Sequence, residues 1–99
     1  MFDFKKTIAN GKAEYALSGR LDTITAPTLE AEFNASLDGV TSLVLDLGDL
    51  AYVSSAGLRV LLSAQKKMNA QGEMKVRRVN DTVKEIFDVT GFSDILDIE

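Results

Sequence analysis

The sequence predicts an α/β domain: a mixed β-sheet that opens with an N-terminal hairpin and is covered by helices. Three observations predict it. Two runs of alternating apolar and polar residues flank Asn10-Gly11, the dipeptide best suited to a tight hairpin turn. The run SLVLDL is too short for a helix and apolar on both of its faces. Beyond it and before it, strand-like runs alternate with stretches of helical spacing, which implies parallel strands joined by right-handed connections.

Each element follows in turn. Phe2 and Phe4 alternate with Asp3 and Lys5, and Ala13, Tyr15 and Leu17 alternate with Glu14 and Ser18, giving two antiparallel strands. A polar loop through Gly19, Arg20, Asp22 and Thr23 leads to TAPTLEAEFNASL, where Leu29, Phe33 and Leu37 recur at helical spacing. Pro27 falls in the first turn of that helix, where its missing N–H costs nothing. After Asp38-Gly39, SLVLDL is expected in the middle of the sheet, with Leu43, Val44, Leu45 and Leu47 covered on both sides. SAGLRVLLSAQKKMNAQG reads as a second helix whose core stripe is Gly57, Val60, Leu61, Ala64 and Met68, with Gly72 after its polar end. EMKVRRV alternates as the last strand. In NDTVKEIFDVTG, Asn80 or Asp81 caps a third helix carrying Val83, Ile86 and Phe87 and ending near Gly91. Phe92, Ile95, Leu96 and Ile98 suggest a final helical turn. With 99 residues and no linker or repeat, residues 1–99 are expected to form a single domain around one core.

Composition narrows the chemistry. With no cysteine there is no disulfide framework, thiolate nucleophile or Cys-ligated metal, and a cytoplasmic location is the default expectation. With no histidine a Ser-His-Asp triad within the chain is impossible, and no Gly-x-Ser-x-Gly elbow is present, so an enzyme is not expected. Nor is a metal or other cofactor. The N-terminus lacks a signal pattern and no apolar run approaches a membrane span, so no membrane insertion is expected. A net charge of -4 disfavours nucleic acid as a partner. Lys66, Lys67, Lys75, Arg77 and Arg78 nevertheless cluster in one stretch, read as solvated surface at a helix end and an edge strand.

The informative segment is LVLDLGDLAYVSSAGLRVLL, residues 43–62. It reads as a buried strand, a short polar turn, an apolar stretch from Leu50 to Val53, and then Ser54 and Ser55 at the start of a helix. Unpaired N–H groups and the positive end of the macrodipole gather there, so a phosphoryl group on either serine would be well accommodated. From the spacing alone a plain N-cap is the favoured reading, because Ser is among the preferred cap residues. With the core stripe as assigned, Ser55, Leu58 and Leu62 share a neighbouring strip of the helix. Leu58 and Leu62 either widen the core face or form an apolar patch beside Ser55. Arg59, four residues after Ser55, is spaced to touch a phosphate, although a solvated arginine is the favoured reading.

The segment YVSSAGLRVLL, with LSGRLDTITAP upstream and VTGFSDIL near the end, resembles the STAS domain family, named for sulfate transporters and anti-sigma factor antagonists. The resemblance spans nearly the whole chain. It implies a helix-covered sheet opening with a hairpin, and an anti-sigma factor antagonist in which a serine at the start of the second helix is phosphorylated by the anti-sigma factor, itself a serine kinase. Matching on Gly57-Leu58 places Ser55 at the acceptor position, with Ser54 as the alternative. Phosphorylated members of the family usually carry Asp directly before the acceptor, where this chain has Ser54.

The resemblance also implies that the unphosphorylated protein sequesters the anti-sigma factor and so releases a sigma factor, and that a phosphoserine phosphatase opposes the kinase. The loop after the second strand lies beside the acceptor in this family, and Asp22 matches its Gly-x-Leu-Asp element. Asp46 is a second candidate for the acceptor's surroundings. The expected partner surface is therefore Asp22, Ser54, Ser55, Leu58, Arg59 and Leu62. A constitutive STAS scaffold, or an accessory subunit of a transporter complex without phosphorylation, is the alternative function.

Overall fold

The computed structural model describes residues 1–99. Its elements, in order, are β1 (Phe2–Ala9), β2 (Lys12–Leu21), α1 (Ala26–Ser36), β3 (Ser42–Val53), α2 (Ser55–Gln71), β4 (Glu73–Arg77), α3 (Asp81–Thr90) and a 3-10 turn over Phe92–Asp94. The sheet order is β1-β2-β3-β4. β1 pairs antiparallel with β2, while β2 with β3 and β3 with β4 are parallel. Asn10 and Gly11 both take positive φ, 54° and 79°, as the two-residue turn between β1 and β2 requires. The mixed, helix-covered sheet is the one expected from the sequence.

One face of the sheet carries the core. Ala13, Tyr15 and Leu17 of β2, Leu43, Leu45 and Leu47 of β3, and Met74 and Val76 of β4 are all buried, and alternation places them on the same side. Leu29 and Phe33 of α1, and Gly57, Val60, Leu61, Ala64 and Met68 of α2, are buried with them, so the stripe assigned to the second helix is the buried one. Tyr15 meets Phe33 edge-on, ring centroids 5.2 Å apart, and its hydroxyl donates to Glu32 at 2.7 Å. No helix is long and apolar enough to cross a membrane.

The other face is open where two-sided cover was expected. Lys12, Glu14 and Ala16 are exposed, and Val44, Lys75 and Arg77 are only half-buried. An apolar residue at a single outward position, Val44, was enough to make β3 read as covered on both sides. The strand also runs on where the sequence suggested a turn. Gly48 and Asp49 lie within β3, which absorbs two extra residues against β2, one between Asp46 and Asp49 and one between Leu50 and Tyr52. Such bulges bend a strand without ending it. Likewise β2 extends through Gly19 and Arg20, which the sequence placed in a loop.

Four of the five residues of the basic cluster form local pairs, and Lys66 stays exposed without one. Lys67 meets Asp38 at 2.7 Å, Lys75 meets Asp97 at 3.7 Å, Arg77 pairs with Glu14 and Asp46, and Arg78 meets Asp46 at 3.2 Å. At the C-terminus only the first part of the expected turn is helical. Beyond it the chain is extended, and Ile98 bridges to Val76 along the outer edge of β4.

Candidate functional site

Ser54 and Ser55 differ by one position and by everything else. Ser54 is the N-cap of α2, extended at φ -87° and ψ 175°, and its Oγ accepts from Gly57 N at 3.3 Å. Its own N–H donates to Leu21 O at 2.8 Å and its carbonyl accepts from Leu58 N at 2.8 Å, so both its backbone and its side chain are engaged. Ser55 is the first helical residue, exposed, and its hydroxyl has no partner within the chain. The N–H groups of Ser55 and Ala56 lie in the unpaired first turn of a 17-residue helix, where the macrodipole favours negative charge.

Asp and Ser are comparably good N-caps, because each places an oxygen where the N3 amide can reach it, so an Asp in place of Ser54 would cap α2 in the same way.

Gly57 brings the helix down onto the sheet. A Cβ there would lie 2.7 Å from Leu21 O and 2.8 Å from Leu21 Cγ, with Val53 Cγ1 at 3.0 Å. The close approach sets the first turn of α2 directly against the corner that follows β2. In that corner the Oδ1 of Asp22 accepts from Ile24 N and Thr25 N, both at 3.0 Å. The Thr25 hydroxyl accepts from Asp22 N at 2.9 Å and faces Arg20 O at 2.7 Å and Asp22 Oδ1 at 3.1 Å with its one proton. The Thr25 amide, followed by its hydroxyl and Ile24 N, hold the Asp22 carboxyl below the usual carboxylate range. Asp22 thus follows Leu21, whose carbonyl takes the Ser54 amide, and its own hydrogen bonds are internal: they fold the corner.

The outcome for the remaining candidates is mixed. Leu58 is 6% exposed and belongs to the core, so of the two readings open for it the wider core face holds, and its place on the expected partner surface is corrected. Leu62 is half-buried. Arg59 is exposed on the same helix as Ser55, one turn on. Asp46 lies eight residues before Ser54 on a strand that rises ~3.3 Å per residue, far from the two serines, where it accepts from Gly48 N at 3.0 Å and pairs with Arg77 and Arg78.

Residues that sequence reasoning missed also border the site. Arg20 lies over the Tyr52 ring at 4.5 Å, the two being register partners on β2 and β3. Ile24 is 85% exposed. The Asp-x-x-Thr spacing of LDTIT was the available signal, since an aspartate bonding backbone amides two and three residues on makes a tight turn.

The fold and this site together define a small sheet-and-helix module with a presented serine. The STAS domain model matches residues 4–99, and the chain belongs to that family. It is 42% identical over 84 residues to a Bordetella bronchiseptica protein provisionally named anti-sigma factor antagonist BtrV, covering 83% of this chain and 72% of that one. It is 30% identical over 83 residues to the anti-sigma-B factor antagonist of Bacillus subtilis, covering 83% and 76%. In fold it resembles the anti-sigma factor antagonist SpoIIAA. The TM-score is 0.83 against the unphosphorylated form, at 18% identity over 98% of this chain and 88% of that one. Against the phosphorylated form it is 0.75, at 17% identity over 98% and 91%.

Proposed function

We propose that this chain is an anti-sigma factor antagonist, a binding module and not an enzyme, whose hold on an anti-sigma factor serine kinase is switched by phosphorylation of Ser55. The observation that carries the reading is the division of labour between the two serines. Ser54 is committed to the cap, whereas Ser55 is exposed, unbonded and one step inside a helix N-terminus. The names of the relatives support the partner class.

The Ser55 Oγ attacks the γ-phosphorus of the kinase's ATP: the new P–O bond forms as the bond from that phosphorus to the β–γ bridging oxygen breaks, ADP leaves, and the Oγ proton passes to the kinase or to water. The product carries about -1.5 to -2 charges where a neutral hydroxyl stood. The first-turn amides and Arg59 stabilise that phosphate in the free protein. A partner surface shaped for the hydroxyl must instead desolvate it. Together these favour release, and a switch from nearly all bound to nearly all free needs about 5.5 kcal/mol of differential affinity. Release returns the anti-sigma factor to its sigma factor, and a phosphoserine phosphatase resets the module. The setting for this exchange is the cytoplasm.

The test is a titration of the purified protein, before and after stoichiometric phosphorylation, against the anti-sigma factor kinase encoded in the same genome. Tight binding before and roughly ten-thousandfold weaker binding after is expected. Equal affinity of the two forms, or a protein that takes no phosphate, would leave a constitutive STAS scaffold.

A further inference from the structure

We propose that Ile24 is the apolar anchor by which this module engages its partner, and that Asp22 is a positioning residue that presents it. The inference rests on the reading that the partner covers Ser55, and it names the kind of pocket that partner must offer: an apolar one the size of an isoleucine side chain.

Ile24 is 85% exposed, while its neighbours Leu21 and Ala26 are 0% and 2% exposed. The corner therefore turns two of its three apolar side chains inward and one outward. The outward one is not left on a loose loop. Its amide is held by Asp22 Oδ1 at 3.0 Å, the next amide by the same oxygen at 3.0 Å, and Ala26 N donates to Asp22 O at 2.8 Å. A β-branched side chain on a backbone fixed in this way has little freedom left to lose when it is buried by a partner.

Continuity with the acceptor selects Ile24 over the other exposed apolar residues. Leu21 O receives Ser54 N, and Gly57 lies against the same carbonyl, so the corner and the first turn of α2 form one surface. Val89, 77% exposed, stands on α3 with no such link. Interface energy concentrates in a few such side chains that become fully desolvated among polar neighbours, and Thr23, the residue before Ile24, is an exposed polar one. The apolar contact that the sequence suggested on α2 is thus supplied by the corner, since Leu58 is in the core.

The test is calorimetric titration of the full chain and its variants against the purified anti-sigma factor kinase of the same genome. Ile24→Ala should weaken binding at least about tenfold while leaving the melting temperature unchanged. Asp22→Ala should weaken it too, Asp22→Asn should restore it because the amide oxygen still accepts both N–H groups, and Asp22→Ala should add almost nothing in the Ile24→Ala background. Binding by Ile24→Ala within twofold of wild type overturns the anchor. Fully additive losses overturn the positioning role and make Asp22 a direct contact. If the wild-type chain itself does not bind the kinase, the reading of function fails and the anchor with it, whereas a kinase that binds wild type and Ile24→Ala alike removes the anchor alone.

Discussion

The corner after β2 and the first turns of α2 meet at Leu21 O and Ser54 N, yet they dispose their apolar residues in opposite ways. On α2 the helix lies so close to the sheet, through Gly57, that Leu58 is drawn into the core. In the corner, polar side chains hold the backbone and Ile24 is thrown outward. The comparison teaches that the distance of the backbone from the sheet, and not the spacing of leucines along a helix, decides which apolar group a partner can reach. Ser55 sits between the two regions, exposed because the residue before it takes the cap.

Breaking the buried side should cost most. Leu58→Ala removes a side chain from the core and is expected to cost about 2–5 kcal/mol, read as a large drop in melting temperature by circular dichroism. An unchanged melt with lost binding would return Leu58 to the partner surface. Gly57→Val should cost about 1–3 kcal/mol, because its side chain meets a backbone carbonyl that cannot rotate away. Denaturant unfolding measures the loss, and a neutral result would mean that helix and corner are less closely joined than the distances indicate.

The cap should matter less. Ser54→Ala is expected to cost about 1 kcal/mol, whereas Ser54→Asp, which preserves the cap, should unfold like wild type. Equal stability of all three proteins would mean that the Ser54 hydroxyl does not hold the helix start.

The smallest effect is a titration. Because the folded pKa of Asp22 is depressed, the stability it lends the corner is present above its unfolded value of about 3.9 and is lost as pH falls through the folded value. The Ile24 and Thr25 amide resonances should therefore hold still from pH 8 to pH 5 and move only below about pH 4. A midpoint above that would show the corner is not built on the carboxylate.

Much of this was legible in the sequence because local chemistry and global fold agree. Asn10-Gly11 makes the turn it specifies, Asn80 caps α3 by accepting from Val83 N at 3.0 Å, and Gly91 ends that helix at φ 80°. The errors came where tertiary geometry overrode a local signal. Gly48 and Asp49 read as a turn, but Asp46 and the neighbouring strands carry them through as a bulge. Val44 read as buried, yet nothing packs over that face to complete its burial. Leu58, expected on the partner surface, is buried instead, on a helix start held against Leu21 through Gly57, a contact between residues 36 apart in sequence that no periodicity reports.

The central claim is that Ser55, not Ser54, carries the switch. The most direct measurement is the intact mass of wild type, Ser54→Ala and Ser55→Ala after incubation with ATP and the anti-sigma factor kinase that binds them. The account predicts one added phosphate on wild type and on Ser54→Ala, and none on Ser55→Ala. A phosphate that persists on Ser55→Ala and disappears from Ser54→Ala would contradict it.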